Sequence, residues 1–233
     1  MTPLCSGMPP RVALVHALRA SMAPIEAAFA THWPDAVQHH LLDDALPADL
    51  ERAGRIDEAI TERFVTLARY AAAAGADAVL FTCSAFGSAI DAARASLRVP
   101  VMKPNEAMLE EAVRRGGTVA LVATFAPTLR SMLGEAEAAA ASAGTRVRFR
   151  QVYVPGALAA LAAGDERDHD ARIVDAVATH AEGVDAVALT QFSMARAAPA
   201  VRRRVATRVL TTPDTAVIAL RALAGRLNDG SEM

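Results

Sequence analysis

Residues 76–87, Ala76-Asp77-Ala78-Val79-Leu80-Phe81-Thr82-Cys83-Ser84-Ala85-Phe86-Gly87 (ADAVLFTCSAFG), set the pattern for the whole chain. Ala78 to Phe81 is the short continuous apolar run expected of a strand buried on both faces. It leads straight into Thr82-Cys83-Ser84 and then into small residues suited to opening a helix, which puts a thiol at the carboxyl end of a strand. In an open α/β sheet that end is where ligands bind, because strand ends and helix starts leave a crevice rimmed by unpaired backbone N–H groups. Val184 to Met194 (VDAVALTQFSM) repeats the Asp-Ala-Val signature and the strand exit, with Gln191 where the first copy carries Cys83.

Outward from this stretch, strands and helices alternate. Upstream, Leu50 to Ala74 reads as one helix, with Ile56, Ile60, Phe64, Leu67 and Ala71 spaced three or four apart and Gly75 closing it. Arg11 to His16 (RVALVH) follows Pro9-Pro10 as a first parallel strand. Pro24-Ile25-Glu26 fits the first turn of a helix capped by Ser21 and ended by His32-Trp33-Pro34, and Val37 to Leu42 is a second strand. Within it His39 and His40 are adjacent, so they face opposite sides, make poor joint metal ligands and read as a solvated strand edge. Downstream come a helix from about Ser88 to Ser96, a strand at Val99 to Met102, and a helix from Glu106 to Arg115, opened by Pro104 and Asn105 and closed by Gly116-Gly117. Such alternation predicts a parallel sheet with helices on both faces.

Then the pattern begins again. Val12 in Arg11–His16 recurs as Val119 in Thr118-Val119-Ala120-Leu121-Val122-Ala123, 107 residues on, and Cys83 is answered by Gln191, 108 residues on. Arg130-Ser131-Met132 echoes Arg19 to Met22, and Arg208-Val209-Leu210 with Thr212-Pro213-Asp214 parallels Arg98 to Asn105. Landmarks at nearly one spacing indicate an internal duplication. The expected architecture is α/β, with two pseudo-symmetric doubly wound lobes, each built on a mainly parallel sheet. One lobe comprises 1–104 plus 210–233, the other 105–209, and the active site lies in the cleft between them.

Composition narrows the function. A chain of 233 residues is long enough for a real core, and a net charge of −2 leaves no basic surplus for a nucleic-acid backbone. Arg202-Arg203-Arg204, with Arg196 and Arg208 nearby, reads as a solvated face rather than a nucleic-acid site. The two cysteines, Cys5 and Cys83, cannot build a disulfide framework, and Cys5 sits in an N-terminal segment read as mobile; a reducing cytoplasm is the natural compartment. No leader pattern and no apolar run long enough to span a membrane is evident, so no membrane partner is expected. Asp165-Glu166-Arg167-Asp168-His169-Asp170 lacks the spacing of a metal site and reads as a surface loop and helix start; no metal is expected. Glu135 to Ala143 is alanine-rich helix without functional content.

The duplication supplies the chemistry. Cys83 and Gln191 become opposite walls of one site, amid the short hydroxyl residues Thr82, Ser84, Thr190 and Ser193. The exits of the first strand of each lobe, His16 to Ser21 and Thr124 to Thr128, complete the rim. Hydroxyls and backbone N–H groups at helix starts suit a carboxylate without a metal. A thiol near helix N-termini is expected to lose its proton readily and to act as base, acid or nucleophile. The alternative is that Cys83 is only a small apolar side chain, as free cysteine usually is. Phe86, Phe125, Phe192 and Met194 offer an apolar pocket for the substrate's side chain.

These residues carry a resemblance. Thr82-Cys83-Ser84, its counterpart Leu189-Thr190-Gln191-Phe192-Ser193-Met194, the Val122-Ala123-Thr124 exit with Thr128 and Ser131, and the duplicated layout resemble the aspartate/glutamate/hydantoin racemase superfamily, which includes arylmalonate decarboxylase and maleate cis-trans isomerase. The resemblance covers nearly the whole chain. It implies work without a cofactor, a small carboxylate as partner (an amino acid, hydantoin or dicarboxylic acid), and a homo-oligomer. It also implies two cysteines on opposite faces of the substrate's α-carbon, of which Cys83 matches the first while Gln191 occupies the place of the second. Thr82, Ser84, His16, Ser21, Thr124, Thr128, Thr190, Phe192 and Ser193 would bind the substrate. An amide has no useful pKa near neutrality, so Gln191 cannot be a general base. Most of the superfamily are isomerases, so the resemblance implies a racemase- or isomerase-type reaction run by a Cys83 thiolate, with Gln191 in place of the second catalytic cysteine. The alternatives are a decarboxylase using Cys83 as proton donor, although in arylmalonate decarboxylase the cysteine lies in the second lobe, or a non-catalytic carboxylate-binding relative.

Overall fold

The computed structural model describes residues 9–228, so Cys5 lies outside the described residues. Two compact units divide the chain, one running up to Pro104 and resuming at Ala216, the other spanning Asn105–Thr215.

In the first unit, strands form at β1 (Arg11–His16), β2 (Val37–Leu42), β3 (Ala78–Phe81) and β4 (Val101–Met102), and helices at α1 (Met22–His32), α2 (Leu46–Ala53), α3 (Glu58–Ala73) and α4 (Gly87–Ala95). All pairings are parallel, in the order β2-β1-β3-β4. β1 sits inside the sheet because both of its faces are apolar: Val12 and Leu14 on one, Ala13 and Val15 on the other, are all buried. Ala13, Val15, Val79 and Phe81 pack against Ile60, Phe64 and Ala68 of α3 and Ala89, Ile90 and Ala93 of α4. Phe64 anchors that layer, with its ring 5.0 Å from Phe81 and 4.9 Å from Phe86. Burying each such side chain is worth about 1.5–3 kcal/mol.

The second unit repeats the plan. It contains α5 (Glu106–Arg115), β5 (Gly117–Ala123), α6 (Ala126–Ser142), β6 (Val147–Tyr153), α7 (Ala157–Ala162), α8 (Glu166–His180), β7 (Ala186–Leu189), α9 (Ala198–Arg204) and β8 (Arg208–Thr211), after which α10 (Thr212–Asn228) begins. The strand order, β6-β5-β7-β8, is the first unit's order again, all parallel. Register is duplicated too: Val12 pairs with Ala78 as Val119 pairs with Ala186. The Asp77 side chain accepts from the Arg11 N–H at 2.8 Å and that of Asp185 from the Thr118 N–H at 2.7 Å. Gly117 is required beside this clamp, since at φ +79 a Cβ would stand 2.3 Å from the Asp185 carboxylate.

Residues 210–215 lie with the second unit rather than the first, because β8 extends to Thr211 and pairs with β7 throughout. The helix expected over 50–74 is two helices. Gly54, at φ 68, ends α2, and Asp57 caps α3 by accepting from the Ile60 N–H at 2.9 Å, so Ile56 lies between them. Ser21 stands at the start of α1 but makes no capping bond, since it belongs to a 3-10 turn, Arg19–Ser21, whose backbone is already helical. Among the described residues no helix is long and apolar enough to cross a membrane.

Candidate active site

β3 hands the chain directly to Thr82 and Cys83. The Thr82 N–H continues the ladder by donating to the Val15 carbonyl at 3.0 Å. Cys83 is extended (φ −119, ψ 117) and is followed by a three-residue 3-10 turn, Ser84–Phe86, before α4. Strand alternation turns Cys83 to the α3/α4 side, where it packs, half-buried, against the core of the first unit. Burial pushes its thiol up to about 11, and a backbone hydrogen bond from Ala85 pulls the other way without prevailing. The readily ionised thiol expected from the sequence is therefore corrected: at neutral pH Cys83 rests protonated. A single 3-10 turn carries too few aligned peptides to offset desolvation.

On the opposite side of the sheet, Thr82 and His16 are fully enclosed. His16 Nδ1 is 2.9 Å from Thr82 Oγ1, and His16 Nε2 is 3.0 Å from His40 Nδ1. The two imidazoles lie 11° from parallel with centroids 5.1 Å apart, and His40 Nε2 is 3.7 Å from Glu26 Oε1 on α1. Burial, helped by the neighbouring His40, lowers His16 to about 4, so it is neutral. His40, read from sequence as a solvated edge, thus belongs to a network reaching the residue beside Cys83. Its signal was the alternation of β2, but its partner emerges only from the β1/β2 register, which sets Leu14 against His40. His39, on the other face, accepts from Arg11 Nε at 3.2 Å.

The second unit's exit is built alike but carries different groups. The Thr190 N–H donates to the Val122 carbonyl at 3.0 Å, and its hydroxyl donates to the same oxygen at 2.8 Å. Gln191 is buried, and its Oε1 accepts from the Thr124 N–H at 2.6 Å and from Thr124 Oγ1 at 3.0 Å. Since an N–H needs an acceptor, that contact fixes which end of the amide faces Thr124. A 3-10 stretch, Phe192–Ala197, follows, with Phe192, Ser193 and Met194 buried. Thr128 is buried in the first turn of α6, and Ser21 and Ser84 are buried in the first unit.

Of the expected carboxylate-binding hydroxyls, Thr82, Thr124 and Thr190 are thus engaged within their own units. The acidic stretch at 165–170 is structural: Asp165 caps α8 by accepting from the Asp168 N–H, while Glu166 and Asp170 hold Arg196. Among the described residues no group of three His, Cys, Asp or Glu side chains is placed to hold a metal ion. The arrangement offers one titratable sulfur at a strand exit and, at the equivalent exit, an amide that bonds but does not titrate.

Solved structures similar in fold include a glutamate racemase from Francisella tularensis subsp. tularensis SCHU S4 in complex with D-glutamate, at TM-score 0.71 and 12% identity over 96% of this chain and 84% of that one. An allantoin racemase from Klebsiella pneumoniae aligns at TM-score 0.64 and 21% identity over 93% and 88% of the two chains. A variant of arylmalonate decarboxylase aligns at TM-score 0.59 and 19% identity over 96% and 95%. No curated protein matches the chain in sequence. Residues 17–226 match the family described as Asp/Glu/Hydantoin racemase, and the chain therefore belongs to that family.

Proposed function

We propose that the protein is a cofactor-independent enzyme of the isomerase type, acting on a small organic acid through Cys83, with Gln191 as a hydrogen-bonding group. The observation that carries the reading is the contrast between equivalent exits: a thiol after β3, an amide committed through its oxygen to Thr124 after β7. Family membership supports the isomerase class. The D-glutamate bound to the similar glutamate racemase, and the similarity to an allantoin racemase, support a substrate of that small size.

One sulfur suits an isomerisation that needs no second base. As thiolate, Cys83 adds to an activated carbon–carbon double bond of a carboxylate, which becomes a single bond as the electron pair moves into the carboxylate. The bond rotates, the pair returns, and the sulfur leaves, restoring the double bond in the other geometry. The Gln191 amide N–H₂ is left to donate to a carboxylate oxygen and steady its charge.

A second reading is favoured by the protonation of Cys83. A resting thiol suits protonation of the enediolate that remains when a malonate-type acid loses carbon dioxide: the S–H proton goes to carbon and the thiolate recovers a proton from water.

Proton NMR in deuterated water, with a panel of unsaturated dicarboxylates, amino acids, hydantoins and arylmalonates, tests both. Geometric or configurational change without carbon dioxide release supports the isomerase, and carbon dioxide release with deuterium at the α-carbon supports the lyase. A thermal shift without any turnover across the panel would leave only a binding protein. The pH profile discriminates further. Thiolate chemistry rises with pH towards about 11, whereas thiol donation stays flat from neutrality until pH nears about 11 and falls only beyond that.

A further inference from the structure

The first unit buries a hydrogen-bonded chain that neither the strand pairing nor the proposed chemistry requires. The Thr82 hydroxyl donates to the Val15 carbonyl at 3.4 Å, as the Thr190 hydroxyl donates to Val122. Thr82 Oγ1 is then the acceptor, so His16 Nδ1 carries the proton that bridges their 2.9 Å separation. His16 is neutral, hence its Nε2 is bare and accepts from His40 Nδ1–H at 3.0 Å. His40 Nε2 faces Glu26, a half-exposed carboxylate. Asp43, whose backbone N–H donates to the His16 carbonyl at 3.0 Å, has its carboxylate engaged by Arg63.

The duplicated unit serves as an internal control. By register, the positions of His16 and His40 are taken there by Ala123 and Gln151, yet the Thr190 latch closes without them. The fold therefore has no need of buried histidines at this strand exit. They occur in the unit whose exit carries Cys83.

We infer that His16 and His40 are positioning residues: they clamp Thr82 from one face of the sheet and thereby fix the adjoining Cys83 turn, its burial and its reactivity on the other. This rests on Cys83 being the reacting group, but its test does not need a substrate. Alkylation of Cys83 by iodoacetamide near pH 8, mapped by peptide mass to separate it from Cys5, reads the clamp directly.

Losing the His40 donor strands the buried His16 Nε2, so that ring shifts and its hold on Thr82 loosens; water then reaches the sulfur more readily and the thiolate fraction rises, so His40→Ala should be alkylated about fivefold faster or more. His40→Asn places an amide N–H where Nδ1 stood, so it should stay within about twofold of the unaltered protein. Equal rates for His40→Ala and the unaltered protein, both folded by circular dichroism, would overturn the inference. Should His40→Ala not fold, nitrogen NMR of the unaltered protein decides: a proton on His16 Nδ1 with a bare Nε2 upholds the chain, and a proton on Nε2 overturns it. Turnover of the same variants keeps the two readings apart. A clamp that governs alkylation in a protein without Cys83-dependent turnover would sink the proposed function and leave the clamp standing. Cys83-dependent turnover with alkylation indifferent to His40 would do the reverse.

Discussion

The two units share strand order, register and the Asp clamp at the start of their central strands, and they differ where β3 and β7 end. One exit holds Cys83 above the Thr82–His16–His40 chain; the other holds Gln191 folded onto Thr124, with Ala123 in place of His16. What is common follows from building a parallel sheet, so what is unequal is the better guide to chemistry. The inequality also assigns roles, since a sulfur can exchange a proton and an amide can only hold one in a hydrogen bond.

The largest stability effect should come from His16, which the second unit does without. Its pKa is depressed to about 4, so the fold favours the neutral ring. The stabilisation is complete above the ordinary histidine value near 6.5 and is lost as pH falls through about 4, amounting to about 3 kcal/mol across that window. Urea unfolding at pH 7 and pH 4.5, with ring NMR to follow His16 itself, checks this; a ring titrating near 6.5 would contradict it. Next is the thiol. With Cys83 raised to about 11, its thiolate fraction near pH 7.5 should be about a hundredfold below that of an ordinary thiol, and alkylation should accelerate steadily up to pH 11. A plateau below pH 9 would sink that assignment.

Gln191→Ala should cost about 1–3 kcal/mol by stranding the buried Thr124 N–H, whereas Cys83→Ala should cost about 1 kcal/mol or less, because the sulfur makes a single backbone bond. Chemical denaturation compares them, and the reverse order would undermine the structural role given to the amide. The smallest contrast is between the clamps: Asp77→Ala should lose about 1–2 kcal/mol and Asp185→Ala less, since the Thr118 contact is exposed while the Arg11 contact is half-buried. Equal losses would mean that solvent screening does not separate the two sites.

Much of this was legible in the sequence because it is local or repeated. Uninterrupted apolar runs gave the buried strands, and recurrence of Val12 as Val119 and of Cys83 as Gln191 gave the duplication. What escaped depends on distant contacts or on competition between effects. Helical spacing ran through Ile56, although Gly54 in a left-handed turn and the Asp57 cap divide α2 from α3. His40 alternates correctly along β2, but nothing near it in sequence reveals His16 as its partner. Closeness to a helix start suggested an acidic thiol, whereas the weight of burial on Cys83 is known only once α3 and α4 have packed around it.

The central claim, that Cys83 carries the chemistry, is tested most directly by proton NMR in deuterated water, comparing the unaltered protein with Cys83→Ala on a substrate from the panel. The prediction is a fall in turnover of about a thousandfold or more in a variant whose melting temperature is nearly unchanged. Undiminished turnover in that variant would contradict the account.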